Sequence, residues 1–405
     1  MALDKPIETI TEADLQALID AGIPELKTLD YKRTLPGGSD DERREFLADV
    51  SSFANAAGGH LIYGMSADAG VPVELTGLDD ESDGAILRLE SSARDGIDPR
   101  ILGVHSTAVK LGNSKMAIVM RIPKSYSSPH MVRFKNWSRF YSRASNGKYQ
   151  LDVHEIKAAL LASETTAERI RDFRLERVSR IRARDLGTSL CTGPCTILHI
   201  VPLDAFGSPA HDDVPELKSH VSLYQALAPL FRQIAHRCRI NFDGLLYDDG
   251  LSGDQSKGYL QLYRNGIIEA VDAMLISVGE GFKKGKVFSS LAFEVGLVRA
   301  VCRFLSALKF IGVNPPLALM VALTDIKGYT LATDDYGFFN GAPFDREVLM
   351  PREVLIDAYT ADVPMALKPV FDQIWNATDS KGSIYYKDGK WIGEEVARQR
   401  GGIPF

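Results

Sequence analysis

The stretch that most constrains this chain runs from Glu25 to Gly70, "ELKTLDYKRTLPGGSDDERREFLADVSSFANAAGGHLIYGMSADAG". Over residues 26–33 the side chains alternate. Leu29 and Tyr31 share one face and Asp30 and Lys32 the other, the period of a half-buried strand. Pro36-Gly37-Gly38 ends that strand, and Ser39 or Asp40 caps a helix. Its buried stripe is Phe46, Leu47, Val50, Phe53 and Ala54, with Asp41, Glu42, Arg43 and Arg44 towards water. Gly58-Gly59 then provides a C-cap and a tight reversal into a second strand over residues 60–64, followed by a loop carrying Asp68. Asn55, Gly58, Gly59 and Gly64 are read as structural positions of this strand–helix–strand unit.

At 405 residues the chain exceeds one ordinary core, so two domains are expected. Its 45% apolar and 25% charged residues describe a globular protein, neither disordered nor membrane-embedded. No apolar run approaches the ~18 residues that span a bilayer. The first residues, MALDKPIETIT, lack an apolar secretory segment, and four scattered cysteines form no disulfide framework. A cytoplasmic protein without a membrane partner is therefore expected. The net charge of -6 excludes a wholly basic nucleic-acid coat but permits a local basic face.

The elements read as mixed α/β (α+β) in both halves. An N-terminal domain covers residues 1–162, with helices over 12–21 and 82–93 and a strand over 116–122. A helix over 152–162 has Val153, Ile156, Leu160 and Leu161 inward. It runs into a connector helix, 163–187, in which seven arginines meet five acids over residues 164–185. The second α/β domain, 188–405, has strands over 196–202, 317–324 and 350–359 and helices over 223–237, 288–310 and 365–376. An Asn265-Gly266 turn joins a hairpin of residues 258–263 and 267–277.

Strand parity sets Asp30 beside Lys32, with Glu25 upstream, and the loop at Asp68 can reach the same sheet end. Three converging carboxylates repel unless a cation lies between them, and hard oxygen ligands suit Mg²⁺ or Mn²⁺. A lysine beside such a site orients water or stabilises phosphoryl charge. The plainer alternative is a solvated strand face and an ordinary turn acid. A second constellation lies in residues 121–151, which hold seven lysines and arginines and no acid, interleaved with aromatics. Arg133, Lys135, Arg139, Arg143 and Lys148 are the candidate phosphate contacts, while Phe134, Phe140 and Tyr141 are assigned to the core.

Two further motifs fail on spacing. Residues 279–287 imitate a phosphate loop, but Glu280 stands where glycine is required and Val287 where Ser or Thr would hold Mg²⁺, so no ATP site is expected. Cys191, Cys195 and His199 match no common zinc spacing, and buried thiols and a core histidine are expected instead.

The ordered run "LDYKRT…FANAAGGHLIYGMSADAG", with "RFYSRASNG" downstream, resembles the Schlafen AlbA-type DNA-binding domain family over residues 20–160. The resemblance implies that Glu25, Asp30 and Asp68 correspond to a metal-binding acid triad assisted by Lys32, and that Arg143 is the arginine of the family's "YxRxG" strand. Asp stands here for Glu at position 30, and Ser145 for that strand's glycine. The implied function is nucleic-acid binding, RNA or DNA. The leading form is a Mg²⁺- or Mn²⁺-dependent endoribonuclease acting on tRNA or single-stranded RNA in stress response or phage defence. A non-enzymatic DNA- or RNA-binding regulator is the alternative, and a ligand sensor working through the C-terminal domain a third. Because the related animal proteins place two lobes around RNA, a homodimer is expected as well.

Overall fold

The computed structural model describes Leu3, Lys5 and residues 7–79, 82–125, 127–144, 147–206, 214–235, 237–250, 255–273, 286–333 and 341–401. It divides into two units, Met1–Glu168 and Arg169–Phe405.

Unit one opens with α1 (Glu12–Asp20), whose first turn is tied by the Asp14 carboxylate accepting from the Thr11 N–H and Oγ. Strand β1 (Leu29–Lys32), helix α2 (Asp40–Asn55) and strand β2 (Gly59–Tyr63) follow. The strand is shorter than the alternation predicts, because Leu26 turns back in an isolated bridge to Leu29. Ser39 is the N-cap of α2, with its hydroxyl accepting from the Glu42 N–H and the Glu42 carboxylate reaching back to Ser39. Then come β3 (Ser66–Asp68), β4 (Val71–Glu74), α3 (Ser82–Gly96), β5 (Ile97–Asp98), β6 (His105–Lys110), β7 (Met116–Ile122), β8 (Met131–Phe134), β9 (Trp137–Ala144), β10 (Gly147–Gln150) and α4 (Val153–Ala183).

One sheet has the order β1-β2-β7-β6, with β1 and β2 parallel, and a second the order β10-β9-β8-β5. Alternation sorts the first sheet's two faces. Leu29, Tyr31 and Ile62 pack with Leu15 and Leu18 of α1. Leu61 and Tyr63 pack with Phe46, Val50 and Phe53 of α2, together with α3 and Val132 of the second sheet. Asp30 and Lys32, registered against Leu61 and Tyr63, therefore point to the α2 side.

Helix α2 ends where Gly58 N–H donates to Phe53 C=O at 2.8 Å. A side chain on Gly59 (φ 153°) would place its Cβ 2.3 Å from the Thr28 carbonyl oxygen, so backbone packs directly on backbone there. Gly64 N–H then donates to Lys32 C=O at 2.8 Å, holding the ends of β1 and β2 together. Asn55 links α2 to the second sheet: its side-chain amide donates to the His130 and Tyr141 carbonyls at 2.9 and 2.8 Å and accepts from His130 N–H at 2.7 Å.

Helix α4 is continuous. Its second part, from Arg169, belongs to unit two, where Ile170, Val178 and Ile181 are buried. Its first part departs from expectation, for Val153, Leu160 and Leu161 are exposed rather than inward.

Unit two continues with β11 (Cys195–Pro202), α5 (Val214–Ser219), α6 (Val221–Ala226), β12 (Arg237–Ile240), β13 (Gly244–Asp248), β14 (Gly258–Tyr263), β15 (Ile268–Asp272), β16 (Val287–Ser289), α7 (Ser290–Phe310), β17 (Leu317–Thr324), β18 (Thr330–Ala332), β19 (Val348–Leu349), β20 (Val354–Ile356), α8 (Val363–Asn376), β21 (Tyr386–Lys387), β22 (Lys390–Trp391) and α9 (Gly393–Gln399). The helix expected over 223–237 is replaced by α6 and turns, with Pro229 just beyond its end. The strand expected over 350–359 is only β20.

The main sheet runs β12-β13-β14-β15-β11-β17-β19, with β20 also pairing β17. Leu198 and Ile200 on one face meet α7 and α8 in the largest core cluster. Ile197 and Val201 on the other face meet α4. On that face Arg177 of α4 grips Glu269 with two hydrogen bonds of 2.8 Å, and Glu269 also contacts His199 Nε2 at 3.0 Å and accepts from the Tyr259 hydroxyl at 2.8 Å. Burial alone would raise the Glu269 pKa, but the bonds from Arg177 and His199 hold it down at about 2.

Candidate functional site

The face of β1 that looks towards α2 is charged. Asp30 is 4% exposed, and so is Arg143 of β9. Arg143 Nη2 donates to Asp30 Oδ2 at 2.8 Å, and Lys32 Nζ lies 3.0 Å from Asp30 Oδ1. The guanidinium lies over the Phe53 ring, 4.0 Å from its centroid, and its Nη1 is 3.7 Å from Asp49 Oδ1. Asp49 of α2 also receives Lys148 of β10 at 2.8 Å and lies 3.6 Å from Lys32. Lys148 pairs with exposed Glu45 as well.

Each group shifts as its neighbours dictate. Burial would raise the Asp30 pKa, but Lys32 and Arg143 together hold it below the ordinary aspartate value. Burial dominates at Asp49 and raises it despite Lys148 and Lys32. Glu25 is raised by burial and then by the negative charge of Asp30. Burial works against the charged form of Lys32, yet Asp49 and Asp30 raise its pKa, so it stays an ammonium and is no general base.

The sequence missed Asp49. It lies within the apolar stripe of α2, three residues after Phe46 and four before Phe53. A carboxylate at such a position signals a buried cationic partner.

Of the expected acid triad, Glu25 and Asp30 are adjacent and Asp68 does not join them in a metal-binding group. Glu25 lies outside β1, with its N–H on Gly70 C=O at 2.6 Å and its carboxylate accepting from Tyr31 N–H at 3.2 Å. Asp68 sits on the exposed edge of the β3–β4 hairpin rather than in a loop. Among the described residues no three His, Cys, Asp or Glu side chains are grouped to hold a metal ion. The donor chemistry agrees: a guanidinium and an ammonium already engage the two Asp30 oxygens. Lys32, Arg143 and Lys148 likewise occupy Asp49, and Lys148 is shared with Glu45. In this arrangement a metal ion at Asp30 would have to displace Arg143 or Lys32.

The basic stretch divides into an inner and an outer set. Arg143 and Lys148, expected at phosphate, are spent on Asp30, Asp49 and Glu45. The outer set lies where the β8–β9 hairpin meets the start of α2. Arg43 stacks over Phe134 at 5.2 Å, and Lys135 lies over the same ring at 5.7 Å while pairing with Asp40. Arg44 and Arg139 both stack on Trp137, at 5.3 and 5.1 Å. Arg44 also pairs with Asp41, and Arg133 with Asp98. Exposed Arg43 and Arg139 have no carboxylate within ion-pair distance among the described residues, although the charge of Arg43 adds to those of Lys135 and Arg44 in holding the Asp40 pKa down. Phe134 and Tyr141 pack against the core cluster as expected.

In unit two Cys195 is buried beside Arg184 and His199 is a core residue on Glu269, whereas Cys191, expected to be buried, is only half-buried. Most of the loop resembling a phosphate site, residues 279–285, and Ser145 lie outside the described residues.

Residues 25–152 match the family described as Schlafen, AlbA_2, and unit one therefore carries a domain of that family. Among solved structures the chain is similar to the DIP2311 protein from Corynebacterium diphtheriae, at 13% identity and a TM-score of 0.25, over 35% of this chain and 29% of that one. It is also similar to the N-terminal domain of an ATP-dependent DNA helicase RecG-related protein from Nitrosomonas europaea, at 21% identity and a TM-score of 0.27, over 36% of this chain and 97% of that one. No curated protein matches the chain. Among the described residues no helix is long and apolar enough to cross a membrane.

Proposed function

We propose that unit one is a nucleic-acid-binding domain that grips the phosphate backbone through Arg43, Lys135 and Arg139. The observation that carries this reading is the pair of exposed guanidiniums, Arg43 and Arg139, each braced on an aromatic ring with no carboxylate within ion-pair distance among the described residues. An arginine held over a ring has lost much of its rotamer freedom already, so its N–H groups meet a phosphate at less entropic cost. Phe134 and Trp137 serve here as props for cations. Binding is then indifferent to base sequence and strongly dependent on salt.

In a fluorescence-anisotropy titration of labelled single-stranded RNA and DNA, Arg43→Ala/Arg139→Ala is expected to weaken binding about tenfold or more. The slope of log affinity against log salt should fall by about two. Wild-type affinity in the double variant would overturn the assignment.

A second reading, Mg²⁺- or Mn²⁺-dependent RNA cleavage, draws support from the adjacency of Glu25 and Asp30, two carboxylates whose repulsion a cation would relieve. It requires Asp30 to release Arg143. Labelled tRNA incubated with Mn²⁺ or EDTA separates the two readings. Cleavage that needs Mn²⁺ and vanishes in Asp30→Asn favours the nuclease, and binding without cleavage favours the binder.

A further inference from the structure

A helix of this length normally turns its apolar stripe onto a core. The first part of α4 does not. Val153, Leu160 and Leu161 are 78%, 56% and 55% exposed. The run Ala158-Ala159-Leu160-Leu161-Ala162 contains no buried residue. Two charges bracket the leucines on neighbouring helix positions, Lys157 one turn before and Glu164 one turn after. Neither has an ion-pair partner among the described residues.

This pattern is self-complementary in one direction only. If a second helix crosses antiparallel about a two-fold axis between Leu160 and Leu161, each Leu160 meets the other copy's Leu161. Each Lys157 then faces the other copy's Glu164. A parallel pairing would set lysine on lysine and glutamate on glutamate. A two-fold contact demands a patch that complements itself, and Val153, Lys157, Leu160, Leu161 and Glu164 fall on one side of the helix. We infer that residues 153–168 form an antiparallel contact with a second copy of this chain. The helical stretch is only about 24 Å long, so the dimer is weak and depends on concentration. This inference is independent of the nucleic-acid reading.

Sedimentation velocity on the full chain over a wide concentration range tests it. Wild type is expected to approach twice its 44.5 kDa mass at the high end. Leu160→Glu/Leu161→Glu should remain a monomer with unchanged helical circular dichroism. Lys157→Glu and Glu164→Lys should each raise the dissociation constant about tenfold or more, since each sets like charges opposite one another twice per dimer. Mixing those two variants should restore a heterodimer, because one copy then carries an acid at both positions and the other a base at both. A wild-type monomer throughout would overturn the inference. So would a dimer indifferent to the leucine changes, or a mixture of the charge variants that fails to associate.

Discussion

Arg143→Ala is expected to destabilise unit one by about 3–5 kcal/mol, the usual penalty for removing one partner of a buried charge pair. Asp30 would keep only Lys32, Asp49 would lose a nearby positive charge, and the guanidinium would vanish from the Phe53 ring. Amide hydrogen exchange can localise the effect. Where exchange follows the opening equilibrium, β9 and α2 should exchange faster by a factor between about a hundred and a few thousand, with β11 unchanged. Arg143→Met/Asp30→Leu should recover most of the loss, because an apolar pair removes both charges together.

The pH dependence has a definite sign. The folded Asp30 pKa lies below the ordinary aspartate value, so its stabilisation is present above that value and lost as pH falls through the folded one. The gap between wild type and Arg143→Ala should therefore be widest near neutrality and close in acid. An Arg143→Ala protein that folds as well as wild type but binds RNA with a smaller salt slope would contradict the buried assignment.

The second large effect lies in unit two. Glu294 of α7 is 1% exposed, with one carboxylate oxygen accepting from Trp375 Nε1 at 2.8 Å and the other from Ser383 Oγ at 2.9 Å. Burial raises its pKa to about 7 despite those two bonds, and the neighbouring charge of Asp372 adds to the rise. The folded state therefore holds a proton that the unfolded chain has lost. Glu294 contributes fully below the unfolded value of 4.5, and its contribution is lost as pH rises through about 7. The loss amounts to roughly 3 kcal/mol. Glu294→Gln keeps an acceptor for Trp375 and offers an N–H to Ser383 without any charge to bury. It should be more stable than wild type at pH 8 by about 2–3 kcal/mol and nearly equal near pH 5. Urea unfolding of both proteins at the two pH values measures this. The same pH dependence in both would show that Glu294 is not the titrating group.

Much of the fold was legible because short-range rules dominate it. Strand alternation placed Asp30 beside Lys32, and Gly58-Gly59 marked the reversal. The apolar runs of β7 and β17 read as strands over the residues observed. The site was legible as a set of residues, since Asp30, Lys32, Arg143 and Lys148 do meet. Their roles were not. An arginine in an acid-free stretch reads as a surface cation, and only β9 folding back over α2 shows that Asp30 and Asp49 await it. The same limit explains Leu160 and Leu161. Helical periodicity gives an apolar side, but whether a core lies there is decided by elements distant in sequence.

The continuity of α4 bears on how this protein is divided into modules. The boundary between units, Glu168 to Arg169, falls inside a helix and not in a linker. Residues 169–183 contribute Ile170, Val178 and Ile181 to unit two's core. They also supply Arg177 to Glu269 and Arg174 to the Val321 and Pro351 carbonyls. A fragment beginning at residue 188 would strip one face of the main sheet and leave Glu269 buried without its arginine. Whatever the C-terminal unit does, it can be transplanted, excised or inherited separately only if that half of the helix travels with it.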